Sequence, residues 1–212
     1  PGGLRDLQTV VWIARAAGRG GTWRDLARAG LMTPGEARSV SRQERFIGAM
    51  RVRLHYLSGR REDRLVFDLQ TALAQQLGYR DTASRRAGEQ LMQRYYRAAK
   101  TVRQVNTILL QNLHARLFPI PALPIPLEGP FCAIDELLHV ESEDLFDREP
   151  SAMLDAFLLM ERHPELKGMS ARTLRALWHS RGRIDARFRR EPRNRAKFLA
   201  LFREPRGIPH EL

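Results

Sequence analysis

Leu91, Tyr95, Ala98, Val102, Val105, Leu109 and Leu113 step along the chain by threes and fours. That spacing keeps one apolar stripe on one helix face and predicts a helix of roughly 30 residues, far beyond the globular mean of ~11–12. A helix of that length cannot bury its stripe alone. Other helices must pack along it, so the stretch is expected to be the spine of a bundle.

Suitable partners precede it. Leu4, Leu7, Val11 and Ala14 recur at helical spacing almost from the start of the chain. Thr22-Trp23-Arg24-Asp25 has the spacing of a capping box and opens a short helix that ends near Gly30. Thr33-Pro34-Gly35-Glu36 is a stronger start: an N-cap threonine, proline at the first helical position and glutamate at the third. The helix it opens carries Val40, Ile47, Met50, Leu54 and Leu57 and stops at Ser58-Gly59. Leu65, Leu69, Leu73 and Leu77 form one more stripe, closed by Gly78.

Beyond the long helix the composition changes. Residues 118–130 hold five prolines in thirteen positions, too many for a helix or an inner strand. The segment is expected to be an extended crossing. Phe131-Cys132-Ala133-Ile134 and Leu137-Leu138-His139-Val140, separated by Asp135-Glu136, are suited to a small β-hairpin. Helical patterns then resume: Met153, Leu154, Phe157 and Leu158; a helix capped by Ser170 with Leu174, Leu177 and Trp178; and one opened by Pro192 with Phe198, Leu201 and Phe202. The fold class expected is mainly α, with two helical sub-bundles joined by the Pro-rich segment and the hairpin. The corresponding divisions are 1–117, 118–141 and 142–212.

The formal net charge is +12. Residues 170–206 carry 12 basic and 3 acidic side chains, a net of +9, which leaves +3 for the rest of the chain. A basic tail makes nucleic acid a candidate partner. Apart from Phe188, however, the arginines at 181–195 lack interleaved aromatics on which bases stack, so weak and unselective DNA binding is expected. A single cysteine, Cys132, excludes a disulfide framework and fits a reducing, cytoplasmic setting. No apolar run approaches the ~20 residues of a membrane span.

Catalytic signatures are absent: no Gly-rich phosphate loop, no G-x-S-x-G and no H-E-x-x-H. The six histidines are scattered without an i, i+4 pair, so no metal site is expected. Two stretches are candidate sites. At the opening, Gly2 and Gly3 allow close backbone approach where a helix start points its N–H groups outward, and Arg5 adds a fixed cation. Read as residues alone, this is either a phosphate-accepting joint or an ordinary loop-to-helix corner. Asp6 is able to cap the helix or pair with Arg5. At the second stretch, Gly59-Arg60-Arg61-Glu62-Asp63-Arg64 sets three guanidinium groups beside two carboxylates. Arg60, Arg61, Asp63 and Arg64, with Arg94 from Arg94-Tyr95-Tyr96-Arg97, are either an ion network that locks helices or a site for an anion.

Together these pieces resemble a known family. Pro1-Gly2-Gly3-Leu4-Arg5-Asp6-Leu7-Gln8-Thr9 followed by Trp12 is similar to the joint after the nucleotidyltransferase domain in bacterial bifunctional PII uridylyltransferase/uridylyl-removing enzymes. Leu54-His55, the corner 59–65, Phe67-Asp68 and Gln70 resemble that family's middle helices. Met92-Gln93-Arg94-Tyr95-Tyr96-Arg97-Ala98-Ala99-Lys100 resembles its long helix. Asp144-Leu145-Phe146, Gly168, Thr173-Leu174-Arg175 and Phe198 follow in the expected order. The Pro-rich stretch 118–130 has no counterpart in the resemblance.

The resemblance implies a segment of a cytoplasmic, multifunctional enzyme of nitrogen regulation, both transferase and hydrolase. Such an enzyme attaches UMP from UTP to the PII signalling protein with magnesium and removes it in an HD-type phosphohydrolase domain. The missing Met and the helix that starts at once fit a piece cut from a longer protein. The Gly-Ser/aspartate motif that holds magnesium would lie before Pro1 and the HD motif after Leu212. No catalytic residue is therefore expected here, and the chain alone should be inactive. Gly2, Gly3, Arg5 and Asp6 would line the UTP site, and the helices would brace the flanking nucleotidyltransferase and HD domains. The rival readings are a stand-alone basic helical module for nucleic acid, and an interdomain scaffold that touches no ligand.

Overall fold

The computed structural model describes residues 2–119 and 123–204. The chain divides into two compact units, Pro1–Leu117 and Phe118–Leu212.

The first unit is helical. It contains α1 (Leu4–Ala16), α2 (Trp23–Arg28), α3 (Pro34–Ser58), α4 (Phe67–Gln76) and α5 (Ala87–Leu117). The 31-residue α5 is the spine, and α1, α3 and α4 pack along it. Its stripe is buried as the spacing requires: Leu91, Ala98 and Val102 are fully enclosed, and Ile108 joins Val105, Leu109 and Leu113. Tyr95 is only partly buried and packs against the cluster of Met50, Leu73, Ala74, Ala87 and Leu91. On α1 the buried face is Leu7, Val10 and Ala14, so Val10 takes the inward place that the sequence pattern assigns to Val11. The i, i+3, i+7 spacing of 7, 10 and 14 keeps all three on one line of the helix and moves Val11 to its flank.

Helix ends follow their local signals. Thr33 Oγ1 accepts the N–H of Glu36 at 3.1 Å, and Glu36 Oε2 accepts the N–H of Thr33 at 2.6 Å. The far end of α3 is closed by Gly59 in the left-handed region at φ +65°. A second reciprocal cap, Thr22 with Asp25, starts α2.

The second unit packs helices on a small sheet. Its strands are β1 (Ile125–Pro126), β2 (Phe131–Ile134), β3 (Leu137–Val140) and β4 (Gly168–Met169), in that order. β2 and β3 form the expected hairpin, with Phe131 opposite Val140 and Ile134 opposite Leu137. Asp135 and Glu136 both take positive φ, 52° and 60°, which gives a two-residue turn whose twist matches the strands. Part of the Pro-rich stretch forms β1, antiparallel to β2. Pro126 is tolerated there because an edge strand leaves one side of its backbone unpaired. β4 runs parallel to β3 and is not anticipated from the sequence, since two residues carry no alternation.

Alternation places Phe131, Ala133, Leu138 and Val140 on one face of this sheet. The helices of the unit are α6 (Leu145–Arg148), α7 (Ala152–Arg162), α8 (Ala171–Ser180), α9 (Ala186–Arg190) and α10 (Pro192–Leu201). Phe146, Met153, Ala156, Leu159 and Ala176 cover the sheet face. Ser170 caps α8 through the N–H of Thr173 at 3.2 Å. No helix of the described residues is long and apolar enough to cross a membrane.

Candidate functional site

The opening joint is held from two directions. Asp6, in the first turn of α1, accepts the N–H of Gly2 and, at 3.2 Å, the N–H of Gly3 on the same carboxylate oxygen. Two amides that the helix start would otherwise leave unpaired are thus satisfied within the joint. Gly2 is buried at φ +98°, and a Cβ there would meet the Ala99 carbonyl oxygen of α5 at 2.5 Å. The close approach belongs to Gly2 alone. Gly3 has φ −103° and open space where its Cβ would stand. Of the alternatives open to Asp6, the structure shows the cap. Arg5 is exposed and forms no ion pair among the described residues. The joint therefore presents one unpaired cation beside a helix start locked onto the spine.

Trp12, one residue of the opening pattern, is 61% exposed. It shares a cleft of about 250 Å³ with Gln8, Thr22 and Trp23. The Trp23 indole N–H donates to Glu44 Oε2 at 2.7 Å, which fixes one wall.

The arginine corner is a bracket from the 59–64 turn back to α3. Arg51 grips Asp63 with two bonds, Nε to Oδ1 at 2.7 Å and Nη2 to Oδ2 at 3.1 Å. His55 Nε2 stands 3.2 Å from the same Oδ1. The paired Arg51 guanidinium, and then His55, hold the Asp63 carboxyl below its ordinary range. Glu62 takes the Arg64 backbone N–H and the Arg60 guanidinium, both at 2.9 Å. The Arg64 N–H is the larger cause of the lowered Glu62 carboxyl, with Arg60 adding to it. Both carboxylates of the corner are thus taken up internally, while Arg61 stays exposed. Arg51 and His55 were missed in the sequence. The available signal was their i, i+4 spacing on the polar side of α3, facing a carboxylate around the turn.

Arg94 sits apart from this corner. Its Nη1 donates to Gln43 Oε1 at 2.9 Å, and its guanidinium lies over the Phe46 ring, 4.6 Å from the centroid. It joins α5 to the middle of α3.

No group of three or more His, Cys, Asp or Glu side chains among the described residues is placed to hold a metal ion. Burial pushes the Cys132 thiol up, away from the reactive thiolate, and lowers His139. In the basic tail, several cations are already matched within the second unit: Arg183 with Asp147 at 3.0 Å, Arg193 with Glu149 at 3.5 Å and Lys197 with Asp155 at 2.5 Å.

Residues 1–110 match the family model described as GlnD PII-uridylyltransferase, and residues 131–212 match that of the uridylyltransferase GlnD third domain. The bifunctional uridylyltransferase/uridylyl-removing enzyme of Bordetella pertussis is 56% identical over 213 aligned residues, covering 100% of this chain and 25% of that protein. The enzyme of the same name from Aromatoleum aromaticum is 55% identical, and that of Chromobacterium violaceum 50%, each over 100% of this chain and 25% of its own length. This chain thus spans about a quarter of the length of the relatives it matches. No solved structure matches it. With one family model covering its first half and relatives aligned along its whole length, the chain belongs to the GlnD PII-uridylyltransferase family.

Proposed function

We propose that this chain is the helical segment of a cytoplasmic enzyme that transfers UMP from UTP to the PII protein and removes it again. Its opening joint would form part of the UTP site, and its helices would brace the flanking nucleotidyltransferase and HD domains. The observation that carries the reading is the state of Arg5. It is an exposed guanidinium without an ion-pair partner among the described residues, at a helix start pinned by Asp6 and Gly2. A planar, permanently charged fork is suited to a phosphate, and a fixed backbone spares the entropy of ordering it.

In this reading Arg5 meets the phosphates. Gly2, Gly3 and Asp6 hold it in place, because the glycine N–H groups already serve the Asp6 carboxylate. The segment contributes binding and orientation only. Magnesium would be held by carboxylates outside this chain, as the family resemblance implies. The internal pairing of the basic tail favours this reading over a nucleic-acid module.

The test is Arg5→Ala in the full-length enzyme, with both activities measured. Loss of a charge-assisted contact of ~1.5–3 kcal/mol lowers uridylyl transfer roughly 10- to 150-fold and leaves UMP removal unchanged. Equal loss of both activities, with a lowered melting temperature, would reduce the joint to a structural corner.

A further inference from the structure

The connection from α4 to α5 and the first turns of α5 enclose an open cleft of about 430 Å³. Arg85, Arg94 and Arg97 line it with the hydroxyl residues Thr82 and Ser84 and the amide of Gln93, and none of its lining residues is a carboxylate. The acidic residues nearest in sequence are engaged elsewhere. Asp81 accepts the N–H of Ala87 at 2.7 Å, and Glu89 accepts that of Arg86 at 3.0 Å.

The arginines are partly positioned in advance. Arg94 is fixed by Gln43 and the Phe46 ring, and Arg85 Nη1 donates to Gln93 Oε1 at 3.0 Å. None of the three forms an ion pair among the described residues. Three like charges on one cleft repel one another unless an anion sits between them, and guanidinium forks match phosphoryl oxygens two at a time. A lone carboxylate would neutralise only one of them. A multiply charged ligand with several equivalent oxygens answers all three.

We propose that this cleft, built by Arg85, Arg94 and Arg97, binds an oligophosphate anion. The chemistry is shared by free pyrophosphate and by the phosphate tail of a nucleotide. The site shares no residue with the opening joint, so it stands independently of the reading given there.

Calorimetric titration of the 212-residue chain tests it, with inorganic pyrophosphate, UTP and orthophosphate as probes. Pyrophosphate is expected to bind at least about 10-fold more tightly than orthophosphate, because a second phosphoryl group reaches further guanidinium groups. UTP binding more tightly than pyrophosphate, and weakened by Arg97→Gln, assigns the site to a nucleotide, and equal binding assigns it to the phosphates alone. Arg97→Gln and Arg85→Gln, both at exposed positions, should each weaken pyrophosphate binding about 10-fold or more. The pair Arg189→Gln/Arg190→Gln, exposed on the second unit, should leave it unchanged. Arg94 is spared because it also ties α5 to α3. Absence of pyrophosphate binding at millimolar concentration, or equal weakening by the tail substitutions, would overturn the assignment.

Discussion

A Cβ on Gly2 would stand 2.5 Å from the carbonyl oxygen of Ala99, with the Gly2 backbone at φ +98°. A left-handed residue with a side chain costs roughly 1–2 kcal/mol, and contact with a backbone atom that cannot rotate away adds to it. Gly2→Ala should therefore destabilise the first unit by about 2 kcal/mol or more. Gly3→Ala, with ordinary φ and open space, should change stability by only about 0.5 kcal/mol. Denaturant unfolding of the two variants side by side checks the contrast; equal midpoints would contradict the close approach.

Asp6 is the acceptor for two amides, so Asp6→Ala leaves both without their partner. Losing such a cap costs about 0.5–2 kcal/mol. Thermal unfolding should show a lowered midpoint for Asp6→Ala and no change for Arg5→Ala, whose side chain is exposed. The joint then separates into a residue that holds and a residue that presents charge.

The Asp63 bracket is sensitive to acid. Its folded carboxyl lies below the ordinary range, chiefly because of Arg51 and then His55. A depressed folded value means that the contribution to stability is present above the unfolded pKa of about 3.9 and is lost as pH falls through the folded value. Asp63→Asn should flatten the dependence of stability on pH below about 4. The pair is exposed, so added salt should reduce the difference. Unfolding midpoints across pH 2.5–7, at about 0.02 and 0.5 M salt, decide it; a difference insensitive to both pH and salt would rule out the ion pair as its source.

Thr173 ties α8 to the hairpin. Its Oγ1 donates to the Leu138 carbonyl at 2.8 Å and accepts the Val140 N–H at 3.1 Å, with the residue fully buried. Thr173→Val keeps the shape and strands the Val140 N–H inside the protein, while the Leu138 carbonyl keeps the Ser170 N–H at 3.0 Å, which should cost about 1–3 kcal/mol. Thr173→Ser keeps the hydroxyl and should cost less. Hydrogen exchange at Val140 should accelerate in the valine variant and not in the serine one.

Much of the architecture was legible because it rests on local causes. The α5 stripe, the Thr33-Pro34-Gly35-Glu36 start, the Gly59 stop and the Asp135-Glu136 turn each depend on residues a few positions apart, and each lies where the spacing predicts. What was misread needed a partner distant in sequence. Val10 and Val11 on α1 are equally apolar, and only packing against the spine decides which points inward. β4 exists because Leu137 and Leu138 lie beside Gly168 and Met169, a pairing that two residues cannot announce.

The candidate sites divide along the same line. The sequence by itself determined that a helix opens at a glycine pair beside Arg5 and Asp6, that a corner gathers three arginines around two acids, and which family these residues resemble. Only the tertiary structure decided their roles. Gly2 must be glycine because α5 runs 2.5 Å from where its Cβ would be, and Asp63 is answered by Arg51, twelve residues earlier. Arg94 left the corner for Gln43 and Phe46, on the far side of a helix contact that spans about fifty positions. Capping and turning are settled within one or two helical turns of chain, whereas the pairing of a charge depends on which surfaces hydrophobic burial presses together.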